Sequence, residues 1–291
     1  MKRTRAEQAF TVFNVIFLLF VVIICVYPIY YVLVASISNP TRISAHTGIL
    51  TRPLGFTLEA YKRVFQNPSI AQGYQNTLIY VVLGTAINIV MSCIGAYVLS
   101  LQHLVIHKAL TKFVIFTMFF SGGMIPMFLQ IRRLGMIDSM WAIIIPSAIN
   151  TYNMLIMRTS FLSIPASLQE SAKIDGASDT RILLQIILPL SKPIIATMVL
   201  YYGVANWNSW FNAMVYLRSR ELYPIQLILR EILITSNTLS MTTDIASADI
   251  LDIGHTIQYA TIIVVTLPIL LVYPFLQKYF VHGLTAGAVK G

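Results

Sequence analysis

Apolar residues run with little interruption through six stretches of the chain, at about 10–36, 77–101, 110–130, 141–160, 193–217 and 256–280. Each approaches or exceeds the roughly 20 apolar residues that a helix needs to cross the hydrocarbon core of a bilayer. Polar residues collect between them, in 1–9, 37–76, 161–192, 218–255 and 281–291. The pattern predicts an all-α, polytopic membrane protein, a six-helix bundle forming a single transmembrane domain. The first stretch follows Lys2, Arg3 and Arg5 as a signal peptide would, but it extends from Phe10 to Ser38. That exceeds an h-region of roughly 7–15 residues, so it reads as a retained span.

Several spans carry helix-breaking residues in their interiors: Pro28, Gly122 with Gly123 and Pro126, Pro146, Pro268 and Pro274. Lipid tolerates such breaks where neighbouring helices or a cavity satisfy the freed backbone groups, so these helices belong to a packed bundle. Between the first two spans, Leu58, Tyr61, Val64 and Phe65 share one helical face while Glu59, Lys62 and Arg63 lie elsewhere. This predicts an interfacial helix over 57–65.

Composition agrees, with 57% hydrophobic and 11% charged residues and a mean hydropathy of +0.74. A soluble chain keeps roughly a quarter of its residues charged. Cys25 and Cys93 both lie inside apolar runs and read as packing residues. His103 and His107 have the i, i+4 spacing of metal ligands, but no third ligand accompanies them, and no metal site is expected. With six spans both termini share one side, and the basic N-terminus favours the cytoplasm for both. Eleven Lys and Arg then fall inside and nine outside, a weak bias in the same direction.

The stretch between the fourth and fifth spans is unusually structured for a loop. Pro165 suits a first helical turn, Asp175-Gly176 supplies a reversal, and Ser178 or Asp179 can cap a second helix running to Pro189. Here the chain resembles the integral-membrane subunits of ATP-binding-cassette importers. Their cytoplasmic hallmark is Glu-Ala-Ala, three residues, Gly, nine residues, Ile, one residue, Leu-Pro. Glu170, Ala172, Gly176, Ile186, Leu188 and Pro189 stand at every required spacing, and Ser171 is the single departure.

The resemblance implies a type I importer permease in the bacterial cytoplasmic (inner) membrane, with a cytoplasmic coupling helix that docks on an ATP-hydrolysing subunit. Glu170, Ser171, Ala172, Asp175, Gly176, Ile186, Leu188 and Pro189 would form that coupling site. Implied partners are a second homologous permease, two ATPase subunits, an extracytoplasmic solute-binding protein, membrane lipid and an oligosaccharide, with no nucleic acid among them. No phosphate-binding Gly-x-x-x-x-Gly-Lys-Ser/Thr loop occurs, so ATP and Mg belong to the partner ATPase and this chain is expected to bind no cofactor and to be no enzyme.

Asp175-Gly176-Ala177-Ser178, Trp207-Asn208 and the tail Gly283–Gly291 are similar to carbohydrate importers of the malto-oligosaccharide type. The runs 120–123, 149–154 and 206–212 are most similar to the branch that pairs with lipoprotein binding proteins, which includes importers of complex and acidic oligosaccharides. A sugar path should mix amides and hydroxyls with aromatic rings, and Asn206, Trp207, Asn208, Trp210 and Asn212, with Tyr152 and Asn153, offer that mixture. The same groups would also serve as interhelical glue.

On the outer side nine basic residues face seven acidic ones, Glu59, Asp138, Glu221, Glu231, Asp244, Asp249 and Asp252. Arg132, Arg133, Arg218 and Arg220 could draw an anionic oligosaccharide such as a uronate oligomer to the mouth. Lipid headgroups or an acidic binding protein are the commoner use of such interfacial Arg, and a neutral oligosaccharide or other small solute is the alternative cargo. An ion-coupled carrier would show intramembrane carboxylates, and an intramembrane enzyme a catalytic pair; neither stands in the spans.

Overall fold

The computed structural model describes residues 4–242, 254–272 and 274. Lys2, Arg3, Asp244, Asp249, Asp252, Lys278, Lys290, the 283–291 tail and most of the sixth stretch beyond Val272 lie outside the described residues. Within them every regular element is a helix or helical turn, apart from one isolated antiparallel bridge between Ser38 and Phe56. In chain order the helices are α1 (Arg5–Ser36), α2 (Pro40–Ser44), α3 (Glu59–Gln66), α4 (Pro68–Ser100), α5 (His107–Phe119), α6 (Met124–Arg133), α7 (Trp141–Ile144) and α8 (Thr151–Leu162). They continue as α9 (Ala166–Ile174), α10 (Asp179–Ile182), a π turn at Leu183–Ile187, α11 (Leu188–Leu190), α12 (Lys192–Trp207), α13 (Phe211–Tyr216) and α14 (Ile225–Thr242). The last is α15 (Gly254–Val272).

Contacts divide the chain into two units, one holding residues up to Ile70 with Leu229–Leu267, the other Ala71–Ile228 with Pro268 onward. In the first, α1 starts on a reciprocal cap in which Thr4 Oγ1 accepts from Glu7 N and Glu7 Oε2 accepts from Thr4 N. Its apolar window buries nothing inside the chain, as suits a helix whose solvent is lipid. Only its end is packed, where Val34 and Ala35 meet Ile43 and Leu50. The helix expected at 57–65 is α3. It buries Ala60 and Val64 and ties Tyr61 to Ser36 at 2.7 Å, so only Leu58 and Phe65 of its apolar residues are largely exposed.

In the second unit, the stretches expected as single spans at 110–130, 141–160 and 193–217 are each interrupted. α5 and α6 meet at 110°. Gly123 turns there with φ +88°, a conformation that suits a residue without a Cβ. Pro146 lies in the gap between α7 and α8, where its missing N–H stops regular pairing. The third gap, Asn208–Trp210, contains neither glycine nor proline. Among the described residues, three unbroken helices are long and apolar enough to cross a bilayer, and up to five spans result if each sharply bent pair counts as one.

The helix α4 carries the packing of this unit. Gly73, Thr77, Tyr80, Gly84, Asn88, Ser92 and Gly95 recur every three or four residues along one face. Thr77, Tyr80, Asn88 and Ser92 on that face are all buried. Small and hydrogen-bonding residues let helices approach in lipid, where hydrophobicity supplies no drive between them.

Candidate functional site

The loop between α8 and α12 folds into a helical hairpin. Pro165 stands at the N-cap position of α9 and Asp175 at its C-cap; Gly176 then takes φ +77°, its N–H donating to Lys173 O at 3.0 Å. Ser178 caps α10 by accepting from Arg181 N. The second helix reaches Pro189 as expected and ends at Leu190; it contains the π turn and meets α12 at 85°. Pro189 closely follows the π turn, where Leu188 N donates to Leu183 O, so the proline's missing N–H falls where the helix changes its pairing.

The motif residues divide between two faces. Ala172, Ala177, Ile186 and Leu188 pack on a core cluster that includes Tyr97, Met157, Phe161, Ile182 and Ile187. Glu170, Ser171, Asp175 and Gly176 are exposed, as are the apolar Leu168 at 44% and Ile174 at 86%. Asp179 braces the hairpin by pairing with Lys173 at 3.3 Å and accepting from Tyr97 OH at 3.4 Å. The hairpin is thus fixed to the helical core on one side and presents a mixed acidic and apolar surface on the other.

A second feature lies where α12 breaks. A pocket of about 240 Å³ is lined by Ser147, Asn206, Asn208, Ser209, Trp210 and Asn212, together with Ala205 and Phe211. Amides, hydroxyls and aromatic rings therefore converge, as sugar recognition requires. Of the sequence-predicted residues, Asn206, Asn208, Trp210 and Asn212 meet here. Trp207 instead packs edge-on against Tyr74, with ring centroids 6.1 Å apart. Tyr152 is exposed and Asn153 buried on α8, and neither lines the pocket.

Sequence reasoning missed Ser147 and Ser209 in the lining and the buried polar residues behind it. Asn88 Nδ2 donates to Ser147 O at 2.6 Å and Ala148 O at 3.1 Å. Asn206 Nδ2 donates to Thr85 Oγ1 at 3.2 Å and Asn88 Oδ1 at 3.1 Å. The available signal was the polar stripe on α4.

Beyond α13 the chain is strapped back to the start of α4. Asn76 Nδ2 donates to Glu221 O and Tyr223 O, Tyr80 OH to Leu222 O, and Ile225 N to Thr77 Oγ1. Asp138 holds the other side of the strap. It has φ +60°, rare for a residue with a Cβ, and accepts from Arg218 N and Ser219 N at 2.8 Å and from Ser219 Oγ at 2.5 Å. The loop after Arg132-Arg133 is thereby joined to the one bearing Arg218 and Arg220.

These donors, the Ser219 hydroxyl foremost and then the Ser219 and Arg218 N–H groups, hold the Asp138 carboxyl below its usual range. A depressed folded pKa means the clasp is at full strength above the unfolded value of about 3.9 and is lost as pH falls through the folded one. Hydrogen exchange at the Arg218 and Ser219 amides, normalised to intrinsic rates, should accelerate over that acidic window. Asp138→Asn should show fast exchange already at neutral pH, and equal protection in both proteins would refute the clasp.

Long apolar helices, a folded polar hairpin braced to them and a polar pocket between broken helices define a polytopic membrane protein of the transport class. No protein-family model matches the chain. It is 42% identical over 94% of its length, and 96% of the relative's, to the polygalacturonan/rhamnogalacturonan transport system permease protein YtcP of Bacillus subtilis (strain 168). Protein LplC of the same organism is 40% identical, covering 100% of this chain and 98% of its own. A solved structure of a bacterial ABC transporter involved in the import of the acidic polysaccharide alginate contains a chain that matches with a TM-score of 0.86 at 33% identity. That match covers 96% of this chain and 99% of the other.

The chain therefore belongs to the family of membrane-spanning permease subunits of ATP-binding-cassette importers. It is a multi-pass membrane transport subunit and not an enzyme.

Proposed function

We propose that the chain is one of two homologous permease subunits of an importer that moves an acidic oligosaccharide, of the uronate type, inward across the cytoplasmic membrane. An extracytoplasmic binding protein delivers the solute, and two separate ATPase subunits hydrolyse Mg-bound ATP. Both termini and the α9–α10 hairpin lie on the cytoplasmic side. Glu170, Ser171, Asp175 and Gly176 meet the ATPase, while Ala172, Ile186 and Leu188 fix the hairpin to the core and Pro189 lies in the helix leading back to α12. Asn206, Asn208, Trp210 and Asn212 line part of the solute path, and Trp207, packed on Tyr74, supports it from behind.

The observation that carries this reading is the split hairpin: one face is anchored to the helices and the other is left open with two exposed aliphatic side chains, Leu168 near the start of α9 and Ile174 at its end. A rigid body so placed can pass a displacement of its docking face into the bundle. The substrate class is supported by the full-length similarity to a polygalacturonan/rhamnogalacturonan permease and to an alginate importer subunit, and by the pocket's mixture of amides, hydroxyls and rings.

Uptake by the assembled transporter in proteoliposomes tests it. Trigalacturonate should be taken up at least about tenfold faster than maltotriose at equal concentration, and part of that margin should disappear at high salt, where steering by exposed Arg is screened. A preference for maltotriose at both ionic strengths would overturn the acidic assignment.

A further inference from the structure

Two helix breaks border the 240 Å³ pocket, and one buried amide behind it is bonded to the first and to Asn206, two residues before the second. Asn88, 2% exposed on α4, gives both of its protons to the carbonyls of Ser147 and Ala148 in the gap that contains Pro146. Carbonyl oxygens only accept, so the Asn88 amide has one allowed orientation, with its own oxygen turned away from that gap. That oxygen accepts from Asn206 Nδ2, which fixes the Asn206 amide in turn. The second Asn206 proton goes to Thr85 Oγ1. Both Asn206 donors are therefore committed to α4, and its Oδ1 accepts from no described residue. Glycine at 84 gives this arrangement its room, since a Cβ there would sit 2.9 Å from Asn206 Nδ2.

We propose that Asn88 is a positioning residue for the pocket: it dictates that an entering solute meets the carbonyl oxygen of Asn206 and not its NH₂ group. The pocket thereby offers an acceptor at that point, which suits a sugar hydroxyl and repels a carboxylate or other acceptor. Acidic groups of the cargo must then be read elsewhere than at Asn206. This inference rests on the proposed place of the pocket in the solute path.

A double-mutant cycle on the assembled transporter, with trigalacturonate uptake resolved into KM and maximal rate, tests both levels. Asn206→Ala should raise KM about fivefold, the scale of one solute hydrogen bond. Asn88→Ala should raise it by a similar factor, and the double variant should rise no further, because Asn88 acts through Asn206. Asn88→Asp is nearly isosteric. Buried against two carbonyl oxygens, an aspartate there is favoured in its protonated form, which still has one donor for a carbonyl and one oxygen for Asn206, so it should restore KM. A merely structural Asn88 would lower yield and maximal rate while leaving KM alone. Additive KM effects, or an Asn88→Asp KM as high as that of Asn88→Ala, would overturn the positioning role only. An unchanged KM in Asn206→Ala would remove the pocket from the path and this inference with it. Should Asn88→Ala not assemble, Asn88→Leu fills the site, lacks all polar groups and takes its place in the cycle.

Discussion

Gly176→Pro should reduce solute-stimulated ATP hydrolysis by the assembled transporter to its basal level, whereas Gly176→Asn should keep most of the stimulation. A Cβ at this position would meet nothing within 4 Å, so space is not what selects glycine. The backbone is. At φ +77° a β-carbon costs about 1–2 kcal/mol, least for Asn, whose side chain tolerates the left-handed region. Proline is locked near −65° and has no N–H to give Lys173 O, so the end of α9 and the exposed Ile174 beside it must move. The core face of the hairpin, with Ala172, Ile186 and Leu188, keeps the subunit folded and the complex should still assemble. Purified complexes reconstituted with binding protein and trigalacturonate give the comparison. Full stimulation in Gly176→Pro would exclude this turn from signal transfer, and equal failure of both variants would point to a surface contact at the glycine instead of its conformation.

What the sequence revealed about this site follows from the range of the forces involved. The hairpin was legible because its signals are local: a proline before α9, a glycine after it and a capping serine two residues on. The π turn inside its second helix was not, since that depends on how Leu183 and Ile187 pack against the core and leaves no mark in spacing. The breaks at Gly122-Gly123 and Pro146 were flagged by residue type, although not as interruptions that divide a span. The break at Asn208–Trp210 has no breaker residue, so the pattern there predicts a continuous helix whose polar groups line a path. Trp207 was grouped with them by adjacency, but a helix turns by about 100° per residue, and its ring points to Tyr74 instead. Asn88 passed unremarked as one amide in an apolar run. Its partners stand 59, 60 and 118 residues away, beyond any local pattern. The polar stripe with Thr77, Thr85 and Ser92 shows which face of α4 is internal, but not which carbonyls need it.

The same face of α4 carries the largest effect expected on folding. Gly73→Leu should leave no monodisperse protein after detergent extraction, and Gly73→Ala should lower stability by about 1–3 kcal/mol, the usual cost of overpacking. A Cβ at Gly73 would lie 2.5 Å from Ile228 Cδ1, and 3.2 and 3.3 Å from Ile225 Cα and N. The first neighbour is the end of a side chain and can rotate, although Ile228 is only 1% exposed. The second is backbone and cannot, because Ile225 N is bonded to Thr77 Oγ1 at 2.9 Å and Asn76 and Tyr80 hold the carbonyls of 221–223 just before it. Relieving the overlap would therefore stretch the Ile225–Thr77 hydrogen bond, which is fully buried, with no access for water to replace it. Gly203 is the matched control, since a Cβ there meets nothing closer than Thr85 Oγ1 at 3.9 Å. Gly203→Ala should change stability by no more than about 0.5 kcal/mol, or improve it through helix propensity. The two alanine variants are to be compared by thermal unfolding in one detergent, followed by size-exclusion recovery. If Gly73→Ala proved as harmless as Gly203→Ala, the close approach of α4 to the 225–228 segment would not be a source of stability, and the strap of hydrogen bonds beside it would have to hold that segment alone.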